Sequence, residues 1–174
     1  MKKYISILFV FGFLFFFQSC SSQTGVDSKT VEAWVNSQEF TFYAQRANPT
    51  NYDVINTINS MPNATSSRVL NLDNGSYTLE LKNNVLEVVL PYFGRSYKAN
   101  YSGDNSYRFT SKDYTINKTR NKKGNWIVKI QPNDVNNVRE IIIEVFKNGK
   151  ALVSMTSNDR QPISYDGYIS KTSP

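Results

Sequence analysis

The chain has 174 residues, with 20 Lys and Arg against 14 Asp and Glu for a formal net charge of +6, no histidine and one cysteine. That length is one domain's worth of material once a targeting segment is set aside. With no imidazole and a single thiol, the composition excludes a Ser-His-Asp or Cys-His device, a His-built metal site, an internal disulfide and a thiolate zinc site.

The first predicted element is a leader. Met1, Lys2 and Lys3 precede an apolar run from Ile5 to Phe17, broken only by Ser6 and Gly12 and followed by Gln18, Ser19 and Cys20. Its 13 residues are too few to cross a hydrocarbon layer of roughly 30 Å at about 1.5 Å per residue, which favours a signal peptide over a membrane anchor. Cys20 stands directly after Ser19 and before the polar run Ser21 to Gly25. This arrangement resembles the lipobox of bacterial lipoproteins, with Phe17 and Gln18 in place of the usual Leu and small residue. The resemblance implies cleavage before Cys20, a diacylglycerol on its sulfur and acylation of the new amine. Residues 1-19 then form the lipoprotein signal peptide and 20-27 a lipidated tether, anchored stably because several acyl chains share one residue. The competing reading, a secreted protein with a free thiol, leaves an oxidation liability in an export compartment. By the sorting analogy, Ser21 where Asp would retain the protein at the inner membrane favours the outer membrane. No acidic run follows to suggest the cell surface, so the domain is expected to face the periplasm. Losing Lys2 and Lys3 with the leader lowers the net charge to +4, too small and scattered to argue for nucleic acid. The Asn-X-Ser/Thr sequences at Asn63, Asn74, Asn100 and Asn117 are read as turn chemistry rather than glycan sites.

Residues 28-174 read as a single mainly-β domain. Ser28 is expected to cap a short helix carrying Val31, Trp34 and Val35, closed by Gln38. Phe40, Phe42, Tyr43 and Ala44 predict a strand ending before Asn48-Pro49. The Asn-, Thr- and Ser-rich stretch from Pro49 to Pro62 has little periodicity and reads as a long surface loop. Strands are then predicted at Ser67 to Leu72, Tyr77 to Leu81 and Val85 to Leu90, separated by Asp73-Asn74-Gly75 and Asn83-Asn84, residues that accept the positive φ of tight turns. Tyr114, Ile116 and Lys118 form a strand joined through Lys122-Lys123-Gly124-Asn125 to the alternating Trp126, Val128 and Ile130. Ile141, Ile143 and Val145 share one face of the next strand, and Asn148-Gly149 turns it into Leu152, Val153 and Met155. Ile163 to Ile169 closes the domain, with Pro162 admitted at the strand's start. About eight to ten strands with one short N-terminal helix and no parallel crossover predict an antiparallel sandwich or half-open barrel.

At Leu90-Pro91-Tyr92-Phe93-Gly94-Arg95-Ser96-Tyr97 the chain carries a motif that resembles the LPYFGRAY-type signature of a Bacteroidetes lipoprotein family, domain-of-unknown-function family 4251. Further landmarks match in order: Arg46-Ala47-Asn48-Pro49, the hairpin from Tyr114 to Ile130, Asn148-Gly149-Lys150-Ala151, and the ending from Ser157 to Gly167, close to SNNRQSISYSG. Ser96 and Pro162 stand where Ala and Ser are common, and a glycine-rich stretch is reduced to Ser102-Gly103-Asp104. The resemblance runs from about Trp34 to Ile169 and implies an exported, lipid-anchored or secreted β domain of unknown function. It assigns no catalytic residue.

Two clusters are candidate sites. In the first, Tyr92, Phe93 and Tyr97 flank Arg95. The residues suit a recognition patch, with Arg95 gripping a carboxylate or phosphate and tyrosines stacking on a sugar or ring. They equally suit a strand corner with aromatics in the core and Arg95 packed on a tyrosine face, and packing is the commoner use of aromatics. The second holds Asp159, Arg160, Tyr165 and Asp166. Asp159 and Asp166 are a candidate acid/base pair, set against a reading in which Arg160 pairs with Asp159 and Asp166-Gly167 makes a turn or bulge. The basic run Lys118, Arg120, Lys122 and Lys123 sits at a hairpin tip, as a solvated turn or a contact to anionic lipid. No calcium-loop spacing and no nucleophile elbow occur, so neither metal nor cofactor is implied. The expected function is a non-enzymatic binding or envelope-accessory lipoprotein. It is held to the membrane by lipid on Cys20 and engages an unidentified envelope protein or small ligand. The alternative is a carboxylate-based enzyme acting on envelope glycans.

Overall fold

The computed structural model describes residues 25–72, 75–98 and 106–172. The leader, Cys20, the Asn74 and Asn100 positions, the Asp73-Asn74 part of its turn and Ser102-Gly103-Asp104 lie outside the described residues. Helix α1 (Ser28–Ser37) opens the fold. Its N-cap is Asp27, whose carboxylate accepts the Lys29 N–H at 3.0 Å, one residue before the expected Ser28. Gln38 closes it in the left-handed region at φ 58°, and Val31 and Val35 bury one face.

Nine strands follow: β1 (Phe40–Pro49), β2 (Thr78–Lys82), β3 (Val85–Leu90), β4 (Tyr107–Ser111), β5 (Tyr114–Arg120), β6 (Trp126–Pro132), β7 (Val138–Val145), β8 (Lys150–Ser157) and β9 (Ile163–Ser170). They form one antiparallel sheet in the order β4-β3-β2-β1-β9-β8-β7-β6-β5. With every neighbour antiparallel, the two edge strands β4 and β5 run in the same direction, yet only Lys112 and Asp113 separate them in the chain. They act as one bent strand whose first half pairs with β3, Leu90 opposite Tyr107, and whose second half pairs with β6, Tyr114 opposite Pro132. The sheet therefore curls into a nearly closed barrel, as the barrel half of the expectation holds. Asp134 fastens the bend. Its carboxylate accepts from the Ser111 hydroxyl and from the Lys112 and Asp113 N–H groups, the latter two at 2.8 and 3.2 Å.

Period-two alternation puts one face of each strand inside. Phe40, Phe42, Leu79, Leu81, Leu86, Leu90, Ile130, Ile141, Ile143 and Met155 fill the interior with almost no exposure, so the barrel is packed rather than hollow. The Asn83-Asn84 turn has positive φ at both residues, as its sequence predicts. Gly167 is required by close approach: a Cβ there would overlap the Tyr43 carbonyl oxygen and lie 2.8 Å from a Phe42 ring carbon. The bulge foreseen near Asp166-Gly167 falls on the facing strand, where the β1/β9 register shifts between Ala44 and Arg46.

Three expectations are corrected. The predicted loop from Pro49 to Pro62 holds helix α2 (Tyr52–Ser60), capped by Asn51, which accepts the Asp53 N–H at 2.9 Å. The predicted strand from Ser67 to Leu72 is instead a single helical turn, α3 (Ser66–Val69). After it the chain only touches β1, through Ala47 N–H to Leu70 O and Leu72 N–H to Gln45 O. The described fold thus has three helices rather than one. Strand β4, which no expectation covered, makes up the strand count. Among the described residues no helix is long and apolar enough to cross a membrane.

Candidate functional site

The barrel has two dissimilar ends. Helix α1 sits at one, where β1 and β6 begin and β5, β7 and β9 finish. At the other, the mouth, the segments carrying the two motifs meet. The strand-like bridge between Ser96 and Arg160 joins them, with Tyr97 N–H donating to Asp159 O at 2.7 Å and Gln161 N–H to Arg95 O at 3.1 Å. Segments 90–97 and 157–167, far apart in sequence, are one structural unit.

Arg160 is the centre of that unit and is only 6% exposed. Its guanidinium lies 5.0 Å from the ring centroids of both Tyr92 and Tyr107 and grips Asp159 in a fork, Nε to Oδ1 at 3.2 Å and Nη2 to Oδ2 at 3.0 Å. Burial works against the charge on Arg160, but the Asp159 carboxylate holds its pKa above the ordinary value. Tyr92 and Tyr107 meet edge to face at 5.7 Å. Burial pushes the Tyr107 phenol up to about 12, although its hydroxyl shares a hydrogen bond with the Ser157 hydroxyl at 2.9 Å. Tyr165 is fully buried, and that burial raises its phenol well above the ordinary value; it donates to the Pro91 carbonyl at 2.7 Å. The Tyr92 hydroxyl reaches the Arg95 and Gln161 carbonyls at 2.9 and 3.1 Å, a position that needs Gly94, because a Cβ there would overlap it.

The aromatic and arginine members of the two candidate clusters therefore separate. Arg160, Tyr165 and Tyr92 are internal braces, and the tyrosine faces foreseen for Arg95 belong to Arg160. Arg95 is instead exposed and pairs with Asp53 of α2 at 3.3 Å. Phe93 is half-buried against the core, and Tyr97 stands 68% exposed. Together with α2, the exposed members frame the rim. An open groove of about 570 Å³ is lined by Thr50, Asn51, Tyr52 and Asp53 at the start of α2 and by Tyr97, Gln161 and Pro162 of the joined segments. Tyr52 is 79% exposed. A second hollow, between α2 and the Phe93 to Arg95 segment, is lined by Val54, Ile58, Met61 and Phe93. Sequence reasoning missed Tyr52 and Asp53 because it read their segment as loop. The signal was Asn51 as a cap, followed by Val54 and Ile58 one helical turn apart.

The two carboxylates proposed as a pair are not brought together for that purpose. Asp159 is engaged by Arg160, while Asp166 alternates with inward Tyr165 and so projects from the outer wall, accepting from Asn48 Nδ2 at 2.8 Å. At the α1 end, two members of the basic run have structural work beyond a solvated turn. Lys118 Nζ donates to the Asn36 carbonyl at 2.9 Å at the C-terminus of α1. Arg120 pairs with Glu32 and covers the Trp126 ring at 4.3 Å. Among the described residues no group of acidic or sulfur ligands is placed to hold a metal.

A family model described as "Domain of unknown function (DUF4251)" matches residues 23–169. Among solved structures, the crystal structure of a DUF4251 family protein from Bacteroides eggerthii DSM 20697 superposes with a TM-score of 0.53 at 12% identity, covering 83% of this chain and 87% of that one. At that identity the likeness speaks to the fold. No curated protein matches the chain.

Proposed function

The chain belongs to the DUF4251 family, whose function is unknown, and from that premise we propose that it is a lipid-anchored binding module of the cell envelope. Its lipid is carried on Cys20, its membrane is the outer one, and the domain faces the periplasm. Its ligand lies in the rim groove lined by the start of α2 and by Tyr97, Gln161 and Pro162. The observation that carries this reading is that two exposed tyrosines, Tyr52 and Tyr97, line one groove together with Asn51, Asp53 and Gln161. Tyrosine faces supply contact area at low entropic cost, and amide and carboxylate groups pair with hydroxyls. That combination suits a saccharide segment of an envelope glycan, bound rather than cleaved. Binding is favoured over carboxylate catalysis because Asp159 is committed to Arg160 and Asp166 stands on the outer wall. The buried braces keep the rim rigid, which lowers the ordering cost of binding.

Titration of the mature chain with soluble peptidoglycan and lipopolysaccharide saccharide fragments, followed by ligand-observed NMR, tests the reading. Saturable binding is expected, weakened at least about tenfold by Tyr97→Ala and by Tyr52→Ala with the melting temperature unchanged. Absence of saturable binding, or binding indifferent to both substitutions, overturns it.

A further inference from the structure

The end of the barrel opposite the groove carries a dense cluster of positive charge. Six lysines from separate parts of the chain gather there, all exposed: Lys29 on α1, Lys122 and Lys123 in the β5–β6 turn, Lys147 and Lys150 about the β7–β8 turn, and Lys171 after β9. The two turns are neighbours, since a Cβ on Gly124 would come 3.0 Å from Lys147 Cε. Acidic groups at this end are fewer and partly committed. Glu32 is tied to Arg120, and Glu144 accepts from the Asn121 and Asn125 amides at 2.9 and 2.8 Å. Lys171 also borders an open hollow with Trp34, a side chain suited to a water–lipid interface.

The polypeptide leaves the fold at this same end. Val26 N–H donates to the Asn148 carbonyl at 3.3 Å, inside the β7–β8 turn, and Gly25 lies against Asn148. The six peptide steps back to Cys20 span at most about 20 Å. We infer that the lysine-bearing α1 end is a docking face for an anionic bilayer surface, which turns the groove at the mouth away from the membrane. The tether part of this inference rests on the proposed acylation of Cys20. The charge part does not. Lysines near an anionic surface are drawn to it over roughly one Debye length, about 8 Å at physiological salt. Lipid and face would hold the barrel by one end, with neither alone fixing its orientation.

The test uses the mature chain carrying Cys20→Ala, so that no lipid contributes. It is sedimented with vesicles of phosphatidylglycerol and phosphatidylethanolamine, and with vesicles of phosphatidylcholine alone. Binding to the anionic vesicles only, lost on raising the salt, is expected. The triple variant Lys122→Glu, Lys123→Glu, Lys147→Glu should bind at least about tenfold more weakly, whereas Arg68→Glu with Lys98→Glu at the opposite rim should change it less than about twofold. Melting temperatures of both variants establish that they are folded. No binding to anionic vesicles, equal binding to both vesicle types, or equal losses at the two ends would overturn the docking face. Labelling of the wild-type chain with a fatty-acid analogue in cells, abolished by Cys20→Ala, tests the anchor separately, so the failure of one is not mistaken for that of the other.

Discussion

At the scale of single residues, the most consequential side chain is Arg160. It is buried, yet bears a charge, and three groups share the task of keeping that charge: the Asp159 carboxylate and the faces of Tyr92 and Tyr107. Removing one member of a buried pair leaves the other desolvated without compensation. Arg160→Ala is therefore expected to cost about 3 kcal/mol in urea denaturation, and Asp159→Asn about half as much, because an amide oxygen still accepts from the guanidinium. A loss below about 0.5 kcal/mol for Arg160→Ala would mean that the pair is solvated and the mouth is not braced by it. The ion pair with Asp159 was legible in the sequence, as adjacency alone suggests it. The aromatic partners were not. Tyr92 and Tyr107 lie about 70 and 50 positions upstream of Arg160 in the sequence, so nothing local distinguishes Arg160 from Arg95, and the cation beside the aromatics in sequence proved to be the exposed one.

At the scale of elements, hairpins were legible and isolated pieces were not. Strands β5 to β9 follow from alternation and from turn residues with positive φ, since Gly124 and Gly149 sit at +81° and +82° where the chain must reverse. Helix α2 is two turns of mostly polar, weakly helix-forming residues, and tertiary contact through Ile58 and the Asn51 cap sustains it. Strand β4 is five residues long and has only Tyr107 and Ser111 fully inside, too short for alternation to register. What holds β4 to its successor is Asp134, whose carboxyl is kept below its usual range by the Ser111 hydroxyl first and the Lys112 N–H second. Glu140 is likewise lowered, chiefly by Lys129. A carboxyl with a folded pKa below its unfolded one contributes stability above the unfolded pKa and loses it as pH falls through the folded pKa. The melting temperature should thus be flat from neutrality to about pH 5 and fall as the pH drops below about 4 through the lowered folded pKa values. Asp134→Asn should lower the neutral value and make the acid fall shallower. An unchanged acid slope in that variant would show that Asp134 does not fasten the bend.

At the scale of the whole molecule, closure of the barrel and separation of its ends are the same fact. The nine strands close because the bent β4–β5 segment serves both sheet edges through a link of two residues. That link leaves no slack to let the edges part. Closure places the β5–β6 and β7–β8 turns beneath α1 and the two motifs at the mouth, so that the lysine face and the rim groove cannot coincide. A flexible insertion in a slack surface turn costs only the logarithm of its added length. Three glycines between Lys122 and Lys123 add to that small term the loss of the turn's own bonds, where Asn121 Oδ1 accepts the Lys123 and Asn125 N–H groups, and should cost about 1–2 kcal/mol. The same insertion between Lys112 and Asp113 should cost more than that, because it frees the N–H groups that Asp134 now accepts and also lets the two edges separate. Urea denaturation of the two variants measures the difference, and a larger m-value accompanying neither loss is expected if both remain two-state. Equal costs at the two positions would mean that the edges are held by the rest of the sheet, and that the mouth and the lysine face owe their separation to the β-ladder alone.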